Sequence, residues 1–207
     1  MNVLLLYAHP DPASFTAALK NTCLATLRAA GHHVEVRDLY ELGFDPVFES
    51  EEFAQARTGQ VGTAVRVEQE LIAAADVLLV IKPLWWTGLP AILKGYIDRV
   101  FTNGFAYAYS PTGLEPLLRG KKAILLTPHG VPAAVYGPTG MFAALRLTQD
   151  EGIFTFCGLE VRQHLFFDLA AARTEAARAA YLAEAAACCQ HELDAAASAH
   201  VVASIVG

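Results

Sequence analysis

Stretches of unbroken apolar sequence alternate along this chain with stretches whose apolar residues recur every three or four positions. Residues 3–8 form a short continuous apolar run, the mark of a strand covered on both faces. Residues 9–14 carry two prolines and Asp11 and predict a loop. From 15 to 30, Phe15, Ala18, Leu19, Cys23 and Leu27 fall on one helical face. Ser14 stands where an N-cap belongs, and Gly31 where a glycine ends a helix. Val34 and Val36 alternate with Glu35 and Arg37, as in a less buried strand. Residues 39–65 give mixed signals and hold three glycines, which predicts a long surface excursion with some helix. A helix through Val67, Leu71, Ile72 and Ala75 then leads into a core strand from Val77 to Ile81, which Pro83 ends. Pro90 opens another helix as a first-turn proline, with Leu93, Ile97, Val100 and Phe101 on one face. Residues 122–127 predict a further buried strand, 128–139 a loop, and the stretch to about 149 a helix. The last core strand is expected at 161–167, with a short strand near Phe154 before it. The alanine-rich residues 171–199 predict a long terminal helix. Strand and helix in alternation point to a doubly wound parallel α/β sheet. No repeat, linker or break in composition divides the chain, so residues 1–207 are expected to form one domain.

Composition narrows the chemistry. Of 207 residues 54% are hydrophobic and 17% charged, too apolar for a disordered chain and long enough for a core without disulfides. Fifteen Lys and Arg against 21 Asp and Glu leave a net charge of −6, the wrong sign for a protein that binds nucleic-acid backbone. No apolar run approaches the roughly 20 residues of a membrane span. The opening residues lack the positive flank and small-residue cleavage site of a signal peptide. A cytoplasmic protein is the expectation. Cys23, Cys157, Cys188 and Cys189 are expected to be reduced thiols, and neither they nor the seven histidines show zinc-site spacing, so no metal is expected.

In an open parallel sheet, ligands bind beyond the carboxyl ends of the strands. That rule selects three loops, at residues 9–16, 83–89 and 127–136. The first leads into a helix N-terminus, where unpaired N–H groups around Ser14, Phe15 and Thr16, two hydroxyls and His9 could hold an anion. Helix-dipole assistance there is worth about 0.3–1 kcal/mol per exposed charge. The same residues also suit a plain helix cap. No G-x-x-x-x-G-K-[ST] or G-x-G-x-x-G follows the first strand, which disfavours a nucleoside-triphosphatase or a dinucleotide fingerprint. The second loop holds Pro83, Leu84, Trp85, Trp86, Thr87 and Gly88, and with them both tryptophans of the chain. A stacked ring would gain of order 0.5–1.5 kcal/mol beyond the area it buries. A subunit interface fits the tryptophan pair equally well.

At these residues the chain resembles the flavin-dependent NAD(P)H:quinone oxidoreductases of the flavodoxin-like fold. That group includes DT-diaphorase, the modulators of drug activity and the ancillary oxidoreductases of potassium-efflux systems. The likeness is carried by Ala8-His9-Pro10 with Ser14-Phe15, by the block from Pro83 to Phe101, and by Gly104-Phe105-Ala106-Tyr107. It runs over about residues 2–165. The resemblance implies a five-stranded parallel sheet of order 2-1-3-4-5 and a homodimer. It implies a flavin whose phosphate lies on His9, Ser14, Phe15 and Thr16 and whose ring packs on Pro83, Leu84, Trp85, Trp86 and Thr87. Main-chain N–H groups of the turn Thr127, Pro128, His129 and Gly130 would meet the ring oxygens. Tyr107 and Tyr109 match aromatics that one subunit projects over the other's flavin, joining Trp86 as substrate contacts. The chain departs from the family at Thr16, often Asn, and at Pro128 and His129, commonly followed through as Thr-x-Gly-Gly. DT-diaphorase also has a Tyr and a His that assist charge on the reduced flavin. Tyr136 could supply the first; the position expected for the second holds Phe142, with His129 as a substitute.

The activity so implied is two-step hydride transfer from NAD(P)H through a flavin to a quinone or similar flat acceptor. An adenine end would need room beyond the phosphate loop, which residues 39–65 could supply, and FAD is favoured over FMN. A second reading, from the efflux-ancillary relatives, makes the chain a regulatory flavoprotein subunit of a membrane transport system.

Overall fold

The computed structural model describes residues 1–206, with side chains described through residue 195. Five parallel strands form the central sheet: β1 (Asn2–Tyr7), β2 (His33–Asp38), β3 (Val77–Ile81), β6 (Lys122–His129) and β7 (Glu160–Asp168), in the order β2-β1-β3-β6-β7. Counting only these strands, the order is 2-1-3-4-5. The extra numbers come from an antiparallel hairpin of β4 (Tyr107–Ser110) and β5 (Gly113–Pro116), which forms a sheet of its own. Side chains alternate across each strand, so the unbroken apolar runs feed two cores. Leu4, Leu6, Leu78, Val80 and Leu125 pack toward α3 (Thr63–Ala74) and α4 (Ala91–Val100). Val3, Leu5, Leu79, Ile81 and Leu126 pack toward α1 (Phe15–Ala29) and α7 (Glu175–Val206).

Local chemistry sets the helix ends. The Ser14 hydroxyl accepts from the Ala17 N–H at 3.1 Å and caps α1. At the other end Gly31 has φ +83° and its N–H reaches the Arg28 carbonyl, the left-handed stop expected of it. The excursion after β2 contains α2 (Ser50–Ala56) and lies over α4 at Gly95. A β-carbon on Gly95 would sit 2.2 Å from the Pro46 carbonyl oxygen, so only glycine allows this approach. Arg99 of α4 clamps the excursion with two bonds to the Glu52 carboxylate, at 2.7 and 3.0 Å.

Four boundaries differ from expectation. β6 continues through Pro128 and His129, which pair with Phe167 and Asp168. Pro128 is tolerated because its missing N–H falls on the β3 side, where that strand has already ended, while its carbonyl accepts from Leu84 N–H at 2.8 Å. The helix expected to run to about 149 is α5 (Ala133–Tyr136) and then α6 (Met141–Leu145), which passes into a π-helical segment, Arg146–Phe154. Phe154 is therefore helical, not a short strand, and is buried in the core. The terminal helix begins at Glu175 and not at 171, because the Asp168 carboxylate first gathers the N–H groups of Ala170 and Ala171 into a turn. Among the described residues no helix is long and apolar enough to cross a membrane.

Candidate active site

A cavity of about 580 Å³ opens at the carboxyl ends of β1, β3 and β6, and all three selected loops line it. The first contributes His9, Ser14, Phe15 and Thr16. His9 Nδ1 accepts from the Asp11 N–H at 3.0 Å, which in a neutral ring leaves the proton on Nε2. Its ring leans on Trp85 at 5.5 Å between centroids. Ser14 serves as the cap, with its hydroxyl beside that of Tyr7. Phe15 and Thr16 are the first two residues of a 15-residue helix, so their N–H groups have no intrahelical acceptor. No Lys or Arg lines the cavity. An anion here would be held by main-chain amides, hydroxyls and the helix dipole.

The second wall is Pro83, Leu84, Trp85, Trp86 and Thr87. Trp86 and Thr87 have φ of +49° and +54°, the only non-glycine residues in the left-handed region among those described. Each such residue costs about 1–2 kcal/mol, and strain of this kind concentrates at ligand sites. A tight turn holds them, closed by Gly88 N–H on the Trp85 carbonyl at 2.9 Å. Trp86 is 100% exposed and stands at the rim, its rings touching nothing in the chain.

The third wall is Pro128, His129, Gly130, Val131 and Tyr136, with Leu169 after β7. His129 is buried and donates from Nδ1 to the Val131 carbonyl at 2.7 Å, which leaves Nε2 as its second polar atom. Its ring packs between Tyr136 at 5.8 Å and Phe142 at 5.4 Å. Phe142 also packs on Phe166 at 4.9 Å, so the position expected for a family histidine is an apolar support for His129 and offers no donor. The expected row of N–H donors is shorter than the resemblance implies. Thr127 and His129 are ladder residues paired with β7, Pro128 has no N–H, and Gly130 and Val131 supply the amides of this turn that have no acceptor among the described residues. The wall is pinned by Ala133 N–H donating to Asp168 at 2.7 Å.

Three predicted residues lie elsewhere. Thr127 is buried behind the wall and its hydroxyl is 2.9 Å from His164 Nε2. Tyr107 and Tyr109 sit on β4 and do not line this cavity. They meet edge to face at 5.7 Å, and Tyr107 helps line a separate groove of about 340 Å³ with Phe101, Phe156 and Cys157.

Sequence reasoning passed over several residues. Tyr7, at the end of β1, buries a hydroxyl with no partner and lines a second cavity of about 380 Å³ with His9, Lys20, Asp38, Tyr40 and Glu41. Lys20 lies over the Tyr7 ring at 4.2 Å and pairs with Asp38 at 3.0 Å. His9 belongs to both cavities, which makes them neighbours. Lys82 is also fully buried, and burial, only partly offset by the Asp150 charge, lowers its ammonium pKa to about 7. The signal was available: a lysine that continues a strand covered on both faces has to be inside.

A doubly wound sheet of order β2-β1-β3-β6-β7 with its cavity at the carboxyl ends of the strands is a flavodoxin-type architecture. The sequence model for the flavodoxin-like fold matches residues 1–189, and the chain belongs to this family. It is 36% identical over 171 residues to an uncharacterized NAD(P)H oxidoreductase of Haemophilus influenzae, spanning 82% of this chain and 85% of that one. Among solved structures, an NAD(P)H:quinone oxidoreductase from Methanothermobacter marburgensis superposes with a TM-score of 0.81 at 29% identity, covering 91% of this chain and 95% of that one. General stress protein 14 of Treponema denticola, solved in complex with FMN, gives 0.68 at 25% identity, covering 95% and 99%.

Proposed function

We propose that the protein is a flavin-dependent NAD(P)H:quinone oxidoreductase. The observation that carries this reading is the meeting, in one cavity, of a cation-free helix N-terminus with a strained loop bearing both tryptophans. Phe15 and Thr16 N–H with the Ser14 and Thr16 hydroxyls hold the phosphate, and the backbone of residues 83–87 forms the bed for the ring. When bound, the flavin supplies the redox chemistry, taking a hydride from NAD(P)H and giving it to a flat acceptor such as a quinone. The protein supplies place and polarity. Trp86 and Val131 at the rim stack and shield the incoming partner. On the third wall Gly130 N–H, with Tyr136 and His129 Nε2, would supply the polar groups that favour negative charge on a bound ring. His129 is kept in one tautomer and orientation by the Val131 carbonyl. The open mouth admits NAD(P)H and acceptor in turn.

The cofactor is FAD in this reading, because the second cavity, floored by Tyr7 and edged by Tyr40 and Glu41, gives a nucleotide extension room beyond His9. FMN alone would leave that cavity unused. The mass of acid-released cofactor decides between them. A homodimer is part of the same proposal: Tyr109 is 72% exposed on a hairpin that does not line its own chain's cavity, so a second copy gives the hairpin its role. A cytoplasmic setting fits the four free thiols. Initial-velocity plots with NAD(P)H and a quinone are expected to be parallel; lines that intersect would overturn the shared-cavity relay.

A further inference from the structure

Directly behind the cavity wall lies a buried polar cluster that the proposed chemistry has not used. Lys82 precedes Pro83 and Thr127 precedes Pro128, so each side chain sits one residue below a cavity-lining proline. Strand alternation turns Lys82 away from the core that holds Ile81 and toward the π-helical segment. There its Nζ donates to Gln149 Oε1 at 2.8 Å. This is the only hydrogen bond the Lys82 side chain makes among the described residues, and the Gln149 amide nitrogen is buried with no partner. Next to it, His164 Nδ1 donates to the Asp150 carboxylate at 2.6 Å, and the Thr127 hydroxyl donates to His164 Nε2 at 2.9 Å. Arg146 lies 3.6 Å from the other oxygen of Asp150.

An ammonium with a single neutral hydrogen-bond partner is poorly compensated for its loss of water. A structural lysine would be paired; this one is left underpaired beside an unused amide. The unusual helix contributes, since Gln149 and Asp150 come from the π-helical segment, a form of backbone found mostly at functional sites.

We propose that Lys82 is a positioning residue for the redox state of the bound flavin: its charge, buried beneath the cavity wall, favours the negatively charged two-electron-reduced ring over the neutral oxidised one. The proposal rests on the flavin reading above. The electron and proton count closes, because a hydride brings two electrons and one proton and leaves one extra negative charge on the ring. Lys82 can answer that charge by staying protonated. Its surroundings set the pH range of the effect. Asp150 of the π-helical segment favours the ammonium, Arg146 of the same segment pairs with Asp150, and burial holds His164 of β7 below its usual pKa. β6 contributes the uncharged Thr127. With burial bringing the lysine to about 7, it changes charge near neutrality.

The test is the flavin midpoint potential of the reconstituted full-length protein, measured with redox dyes from pH 6 to 9, for wild type, Lys82→Met and Lys82→Arg. At pH 6 Lys82→Met is expected to shift the oxidised-to-reduced equilibrium about tenfold toward the oxidised ring, about 30 mV for two electrons. That gap closes as pH rises, because the wild-type lysine then loses its own charge. Lys82→Arg, charged throughout, keeps the gap from Met open at every pH. Gln149→Met removes the one side-chain hydrogen bond of the ammonium, so its potential is expected to fall away from that of Lys82→Arg at lower pH than the wild-type potential does, a comparison that does not need Lys82→Met. Equal potentials for wild type and Lys82→Met, or a gap independent of pH, overturn the role of Lys82 while leaving the flavin reading intact. A wild type that binds neither FMN nor FAD overturns both.

Discussion

Trp86 combines complete exposure with a strained backbone, and the two should separate on mutation. Trp86→Ala removes a stacking surface that contacts nothing in the chain itself. Flavin affinity is expected to fall roughly threefold to tenfold, with the thermal midpoint of the apoprotein unchanged, as read by fluorescence-quench titration and calorimetry. Trp86→Gly should weaken flavin binding as well but raise apoprotein stability by about 1 kcal/mol, since glycine accepts φ of +49° without penalty. Lys82 works the other way round, as a cost to folding. Its pKa is about 7 in the folded chain and near 10.5 when unfolded, so the unfolded chain binds the extra proton between those values. Stability to urea should therefore rise by a few kcal/mol from pH 7 toward 10. His164, held below its ordinary value chiefly by burial, acts in the same sense just below neutrality, where stability is lost as pH falls. Lys82→Met should flatten the upper part of the curve and lie above wild type at pH 7. A curve that falls from pH 7 to 9 would contradict the buried lysine.

Helices and strands bring these residues together, and the loops that follow β1, β3 and β6 shape the main cavity. Ser14→Ala removes the cap and is expected to cost about 1 kcal/mol of stability together with part of the phosphate site. Gly95→Ala forces the excursion off α4, and limited proteolysis should then cut within residues 40–62 before any other site. Much of this framework was legible in the sequence. The run from Val77 to Ile81 could only be a strand covered on both faces, and Ser14 and Gly31 bracket α1 with side-chain and backbone chemistry that acts locally. The β4–β5 hairpin was not legible, because none of its residues is fully buried and it carries no apolar alternation. Pro128 reads as a loop residue, and only the spatial fact that β3 ends earlier makes it tolerable in a strand. The π-helical segment turns Gln149, Asp150 and Phe154 inward on a spacing that a 3.6-residue period cannot show. In the site, the three loops followed from the strand-end rule. Tyr7 and Lys82 escaped because each is chemically polar but sequentially part of an apolar run.

The chain is a flavodoxin-like scaffold whose hairpin tyrosines do not line the cavity at the strand ends. On the proposed homodimer, Tyr109→Asp, an exposed change on β4, is expected to give a particle of one chain in light scattering, and quinone turnover should fall with it; an unchanged dimer would count against the hairpin's role. The central claim, that the amide-lined cavity holds a flavin, has a more direct test. The purified protein, incubated with FAD or FMN and passed through a desalting column, should be yellow, with absorption bands near those of free flavin and about one flavin per chain. A preparation that emerges colourless with both would contradict it.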